Sequence, residues 1–245
     1  MRSLTELGKY SNLLYQALRS STEFSTYRKN LFQELVKVGY DSVPIIILTG
    51  IFTGSVMTLQ SAYQLESAFI PLSTIGAIVS ESILIELAAV ISSLVLAGKV
   101  GARVATELGT MRVTEQIDAL ESMGFNSVSF LVVPRVLAGI FMFPVLYIVA
   151  SVCGLGGGLA AGFFSGTVPP ADFLQGARMY FYPWNVVFGF VKMFVFGFII
   201  TSVSCYKGYY ASGGAEGVGK STTNATVLSC IFVLLADFIL AALLL

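Results

Sequence analysis

Three charged side chains stand where charge is expensive. Glu86, Lys192 and Asp237 each lie inside a long apolar stretch, on three separate segments of the sequence. A charge at the centre of a bilayer costs about 2.5–3.5 kcal/mol on insertion scales, so such residues face a partner, a cavity or one another rather than lipid tails. One basic and two acidic groups at that depth suit a structural ion pair or the polar end of a substrate path. They equally suit an ion relay in a stand-alone secondary transporter or channel, and Lys192 alone could snorkel toward an interface. Other chemistries have less to work with. The chain has no His, which removes His metal sites and His general bases. Cys153, Cys205 and Cys230 lie far apart in apolar stretches with no CxxC spacing. They read as buried small hydrophobes rather than metal or redox sites. No nucleophile motif with a paired acid and base stands out, so no catalytic residue, metal or cofactor is expected and a membrane enzyme is the least favoured class.

One motif points to nucleotide chemistry. Gly214-Ala-Glu-Gly-Val-Gly219-Lys220-Ser221 fits the phosphate-binding loop pattern, and an apolar run ending in Asp237 follows it. That loop needs a preceding strand and a following helix within a parallel α/β sheet. Here an apolar, membrane-length segment precedes it, and only 24 residues follow Ser221. The segment is therefore read as a Gly-rich cytoplasmic hairpin between the last two spans.

The elements that must position these residues follow from composition. Of 245 residues, 56% are hydrophobic and 11% charged, against about 25% charged in an ordinary soluble domain. Mean hydropathy is +0.82. Net charge is zero, so a basic nucleic-acid face is not indicated. A spanning helix needs about 20 mostly apolar residues. Five windows qualify: Val43 to Tyr63, Ile75 to Ala97 with Glu81 and Glu86, Val132 to Ala161, Val186 to Cys205 with Lys192, and Val227 to Leu245. The expected fold is an all-α integral membrane protein of about five transmembrane helices. Residues 41–245 form the membrane domain and residues 1–40 precede it.

Lys and Arg distribution orients the spans. Six fall before residue 40, four between Lys99 and Arg135, and two, Lys207 and Lys220, between the last two spans. The connection between the first two spans has none, and the segment from Phe163 to Asn185 has only Arg178. Twelve against one places the N-terminus in the cytoplasm and, with five spans, the C-terminus outside. The first 40 residues show no cleavable signal peptide. Leu7, Tyr10, Leu14, Leu18, Leu31, Leu35 and Val38 recur at helical spacing among charges. That pattern suits amphipathic helices in the cytoplasmic interface, or a soluble helical extension. Gly50 and Gly54, and Gly154, Gly158 and Gly162 after Ala150, recur every four residues. Small residues so spaced bring membrane helices close, either within the chain or across a dimer face.

The segment at about 99–127 follows the second span and is expected to face the cytoplasm. From Thr114 to Met123 it reads as a short helix, with Val113, Ile117 and Leu120 on one face and Glu115, Asp118 and Glu121 on the other. Gly124 is its C-terminal stop. Such a helix either grips a soluble partner or stands solvated between spans.

The run AGKVGARVATELGTMRVTEQIDALESMG from Ala97 to Gly124 resembles the signature of the MlaE-type permeases. These are membrane subunits of ABC transporters linked to MCE lipid-carrier proteins. VPRVLAG at 133–139, VKMFVFG at 191–197 and CYKGYYASGGAEGVGKSTTNATV at 205–227 extend the resemblance over about residues 40 to 245. It implies a homodimer of five-helix permeases with an N-terminal interfacial helix. It further implies a location in the cell inner (plasma) membrane and ATP hydrolysis on two separate ATPase subunits. The ATPases would dock on the coupling segment at Glu107, Thr110, Arg112, Glu115, Asp118 and Glu121. Phospholipid would pass between the permeases and an MCE-domain lipid-binding protein, with Glu86, Lys192, Asp237, Leu59 and Tyr63 along its path. Where the family has Arg-Glu-Leu-Gly-Pro in the second span, this chain has Ile85-Glu86-Leu87-Ala88-Ala89. The Glu is kept, while the Arg and the helix-breaking Pro are not.

Overall fold

The computed structural model describes residues 2–19, 24–65 and 71–244. These are helical almost throughout, and five helices are long and apolar enough to cross a membrane. The protein is thus an all-α integral membrane protein. Two amphipathic helices come first, α1 (Arg2–Arg19) and α2 (Phe24–Val38). A 3-10 turn over Tyr40–Ser42 leads into the first span, α3 (Val43–Gln64). The second span is α4 (Ser73–Val113), followed by the short α5 (Gln116–Ser122). The third is α6 (Ser127–Ser165), followed by the short α7 (Pro170–Met179). The fourth and fifth are α8 (Pro183–Tyr209) and α9 (Gly214–Leu244). The Lys/Arg-free connection between the first two spans falls largely on residues 66–70, outside the described residues, as does Leu245.

The five apolar windows lie on these spans as far as Leu244, and the second and fifth helices run well past theirs. A bilayer core about 30 Å thick sets the window length, whereas the helices continue into the polar regions. The 41 residues of α4 and the 39 of α6 are each roughly 60 Å long at 1.5 Å per residue. α4 ends, and α6 begins, at the end of the bundle that carries α2 and α5, called here the charged end. Three expectations change as a result. Residues 102–113 are not a loop but the last helical turns of α4. Their inward residues Val104, Ala105 and Leu108 are fully buried against α8 and α9. The short helix that follows covers Gln116–Ser122 rather than Thr114 to Met123, because Glu115 adopts a left-handed backbone at φ 59° that breaks it from α4. The Gly-rich stretch at 214–221 is not a hairpin but the first two turns of α9. The turn itself is made by Gly213 and Gly214, both at positive φ.

The stop at Gly124 is as expected: φ is +82°, and its N–H donates to the Glu121 carbonyl at 2.9 Å. The short α7 has no counterpart in the sequence reading. It packs on the start of α4 so closely that a Cβ on Gly76 would meet the Phe173 backbone and one on Gly176 the Ser73 backbone. Pro169 and Pro170 at its start were the available signal.

At the centre of the bundle, α6 packs against α2, α3, α4 and α8. The small-residue repeats serve this packing. Gly54 faces the Gly154 carbonyl, Gly50 lies against Ala150, and Gly157 lies on the Ile51 backbone. Ser55 Oγ donates across the seam to the Gly157 carbonyl at 3.0 Å. The repeats are consumed inside one chain and are not a free face. The α9 span is the least covered, with 11% of its apolar window buried.

This seam yields a prediction. Gly54→Val places methyls into the Gly154 backbone, and overpacking of this kind costs about 1–3 kcal/mol. The variant should melt several degrees lower in detergent, followed by size-exclusion after heating. Gly156→Ala, where a Cβ meets nothing within 4 Å, should match the unmodified chain.

Candidate functional site

The three intramembrane charges converge. Lys192 on α8 has no solvent exposure, and its Nζ lies 2.5 Å from Glu86 Oε2 and 2.7 Å from Asp237 Oδ1. The second contact is ionic and off the ideal hydrogen-bond direction. The ammonium also sits 4.5 Å above the Phe188 ring, one turn earlier on the same helix, which adds a cation–π contact. A single side chain thus joins α4, α8 and α9.

The backbone is shaped for this contact. Glu86 lies on a π-helical turn over Ile83–Leu87. Such bulges are rare and often mark functional sites. The distortion is present although the family's proline is absent at Ala89, so here it does not depend on a missing backbone N–H. Tyr147 of α6 donates its hydroxyl to the Leu84 carbonyl at 2.6 Å. A Cβ on Gly189 would collide with that phenol, so the glycine admits Tyr147 one turn from Lys192. Sequence reasoning missed Tyr147 and Gly189, since neither an apolar-looking tyrosine nor a lone glycine stands out within a span.

Exposure is graded across the triad. The Lys192 side chain is 0% exposed, that of Asp237 14% and that of Glu86 40%. Formally one ammonium serves two carboxylates, so the group carries an uncompensated acid, and its most exposed member is Glu86.

Leu59 and Tyr63 are not brought to the triad. The Glu86 turn shares a small cleft with Thr49, Gly50 and Thr53 of α3. Leu59 and Tyr63 lie six and ten residues beyond Thr53, roughly 9–15 Å further from the charged end. Both point outward and are exposed, on a stripe with Leu48, Phe52 and Val56.

At the charged end, a second network ties α2, α4 and α6. Buried Glu34 lies 3.3 Å from Arg103 and 3.7 Å from Arg135. Glu107 lies 3.2 Å from Arg135 and 3.6 Å from Arg103. Glu107 therefore turns inward to intramolecular partners instead of standing in an uncovered charged cluster. Arg135, counted above with the cytoplasmic connection, is buried within α6.

The remaining coupling-segment residues divide. Arg112 and Asp118 form a partly exposed pair at 2.6 Å, of the kind worth about 0–1 kcal/mol. Glu121 accepts from Ser127 at 2.6 Å and from Tyr209 at 3.0 Å. The Ser127 bond, with help from Tyr209, holds its carboxyl below the ordinary range. Thr110 and Glu115 are exposed. Beside them Met123 and Phe125 expose 64% and 48% of their surface. The sequence reading did not single out this apolar edge.

Five apolar spans, three of them joined by a charge triad around the enclosed Lys192, define a multi-pass membrane protein of the transport class. A family model described as "Permease MlaE" matches residues 31–243. The chain is 38% identical over 243 residues to a "Probable ABC transporter permease protein" of Rickettsia bellii, covering 99% of this chain and 93% of that one. It is 38% identical to a protein of the same description from Synechocystis, over 87% of this chain and 81% of that one. It is 34% identical to the Arabidopsis thaliana "Protein TRIGALACTOSYLDIACYLGLYCEROL 1, chloroplastic", over 87% of this chain and 61% of that one. The chain belongs to the MlaE permease family and is a permease subunit.

Removing Lys192 should expose the triad's role in stability. Losing one partner of a buried ionic group costs about 3–5 kcal/mol. Lys192→Met should sharply lower the yield of monodisperse protein from membranes. The triple change Glu86→Gln, Lys192→Met, Asp237→Asn should recover much of it, because no orphaned charge remains. Equal yields and melting temperatures for Lys192→Met and the unmodified chain would show that the contact carries no structural weight.

Proposed function

We propose that this chain is the membrane permease of an ABC transporter that moves phospholipid between the inner membrane and an MCE-domain lipid carrier. Two copies assemble side by side, and two separate ATPase subunits drive them from the cytoplasm. The observation that carries this reading is Glu86. Its carboxylate is 40% exposed at mid-span, and facing hydrocarbon there is costly. A second copy, with a polar cavity enclosed between the two, removes that cost. Phospholipid headgroups need such a cavity. Leu59 and Tyr63, on the outward stripe of α3, would line the apolar wall toward the outer side. The Arabidopsis relative's name includes a galactolipid, which supports a lipid cargo. The Lys and Arg distribution supports a cytoplasmic N-terminus, with the charged end facing the ATPases.

The docking face would be α5 and its flanks. Thr110, Glu115 and Asp118 offer polar contacts and Met123 and Phe125 apolar ones, a mixture usual for interfaces. Glu107 and Arg112 would act from behind. Glu107 fixes the end of α4 through Arg135, and Arg112 holds Asp118. Glu121 would set the angle of α5 through Ser127 and Tyr209. The ion-relay reading keeps one observation in its favour, the uncompensated carboxylate of the triad. A relay chain would act without an ATPase.

Purification from native membranes separates the two readings. A permease should co-purify with an ATPase at one-to-one stoichiometry, in a complex holding two copies of this chain, with phospholipid identified by mass spectrometry. A chain isolated alone that transports ions would overturn the proposal. Within the complex, Glu115→Lys with Asp118→Lys should reduce ATPase association several-fold while leaving membrane insertion unchanged. The fold should tolerate the change, since the Arg112–Asp118 pair is exposed. Undiminished association in that double variant would remove α5 from the docking face.

A further inference from the structure

A cleft of about 200 Å³ opens between α1, α8 and α9, away from the triad. Lys207, on its rim, lies fifteen residues along α8 from Lys192, roughly 22 Å. The rim is polar. Lys207 Nζ lies 3.0 Å from Glu6 Oε2, and Tyr206 donates its hydroxyl to the same carboxylate at 3.2 Å. Chiefly through the Lys207 bond, the Glu6 carboxyl is held below its ordinary range and so stays ionised at neutral pH. Lys9 stands nearby, 5.7 Å from the Tyr210 ring. Tyr10 pins α1 to α8 through a 2.8 Å hydrogen bond with Ser202.

The interior is apolar and lies deeper. Val203 is one turn of α8 further from the charged end than Lys207. Because α9 runs the opposite way, Phe232 is one turn deeper than Leu228. Each step is roughly 6 Å. The cleft therefore grades from paired charges at the surface to hydrocarbon within, in the direction a lipid of the adjoining leaflet is oriented.

We propose that this cleft binds a zwitterionic phospholipid of the cytoplasmic leaflet. Its phosphate engages Lys207 and Lys9, its ammonium engages Glu6, and part of one acyl chain enters between Val203, Leu228 and Phe232. The assignment of leaflet rests on the orientation proposed above. Three physical points support it. The Glu6–Lys207 pair is partly exposed, with the Glu6 side chain 54% and that of Lys207 23% accessible. Such pairs hold together with little energy, so each partner can exchange to an opposite charge on the headgroup. The cavity exceeds the ~150 Å³ at which a dry apolar hole takes up benzene. It falls below the roughly 300–1,000 Å³ of whole drug-sized ligands, so it admits part of one chain and leaves the rest against exposed Leu7 and Phe232. The adjoining carboxylate disfavours purely anionic headgroups, so the site should distinguish phosphatidylethanolamine from phosphatidylglycerol.

The test is photolabelling of the full chain, purified with whatever subunits accompany it, in nanodiscs of both lipids. One sample carries phosphatidylethanolamine with a diazirine in its acyl chain, the other phosphatidylglycerol so modified. Peptides bearing Leu228 and Phe232 should label several-fold more with the ethanolamine lipid. Leu228→Trp, which fills the cleft, should abolish that labelling while labels elsewhere persist. Glu6→Gln should erase the headgroup preference and leave the fold intact. Equal labelling by both lipids, unchanged in both variants, would reduce the cleft to ordinary annular contact and overturn the proposal. Labelling requires neither ATP nor transport, so its failure leaves the transport reading standing, and a failure of transport leaves this site standing.

Discussion

An ammonium group with no access to solvent holds three of the five spans together. Lys192 has no stable alternative to its contacts: in hydrocarbon an unpaired ammonium is among the costliest groups a helix can carry, and inside a bundle it must be paired. The positions of α4, α8 and α9 follow from that requirement. The π turn at Ile83–Leu87 carries Glu86 to the ammonium, Gly189 lets Tyr147 brace the Leu84 carbonyl, and Asp237 anchors α9, which otherwise has little buried surface. The apolar faces of these helices could pack in several rotational settings in lipid, where burial gives no preference among them. The triad selects one.

Two other devices complete the bundle. The glycine seam between α3 and α6 works by close approach and dispersion rather than by charge. The network of Glu34, Arg103, Glu107 and Arg135 works by charge at the membrane edge, where water lowers the cost of ions. Its members lie on α2, α4 and α6. A movement of α2 at the surface therefore acts on both long helices that meet at the charged end.

Much of this was legible in the sequence, for a definable reason. Span positions follow from hydropathy because the bilayer is a uniform apolar solvent. Glu86, Lys192 and Asp237 stood out because so few charges interrupt the apolar windows. A pairing of Lys192 with one of the acids was among the readings left open, but that both acids share the one ammonium was not legible. Apart from the Tyr147–Gly189 brace inside the spans, what stayed hidden lies at the edges of the bilayer, where that filter fails. The run from Ala102 to Val113 looked like a loop because Thr106, Glu107 and Thr110 break its hydropathy. The signal was Val100, Val104 and Leu108 at four-residue spacing, all buried against α8 and α9. The Gly-rich start of α9 misled through composition, since glycine disfavours isolated helices but permits tight packing here. Gly217 lies against the Ser212 backbone, where any Cβ would collide. Arg135 was counted with the cytoplasmic connection although it falls inside the third apolar window, and its partners Glu34 and Glu107, distant in sequence, could not be read from it. For Leu59 and Tyr63, the resemblance gave a role but no position relative to the triad.

The layout of α4 carries the strongest mechanical implication. One uninterrupted helical rod begins against α7, bears Glu86 at the triad and Glu107 at the edge network, and ends at the left-handed Glu115. Two π turns, at Ile83–Leu87 and Ala97–Gly101, are the points where this rod departs from regular α-helix. A regular helix transmits displacement along its axis with little loss, whereas a π turn can migrate or revert by re-pairing its hydrogen bonds. The second turn lies between the triad and the edge network. If α5 is the docking face proposed above, motion received there would enter the end of α4 through the short Thr114–Glu115 bend and meet the π turn at Ala97–Gly101 before the one that bears Glu86. Glu86 is the triad's most exposed member and Lys192 its most enclosed. The acid that faces out of the bundle therefore stands on the same rod as the charged end, while its partners Lys192 and Asp237 stand on α8 and α9.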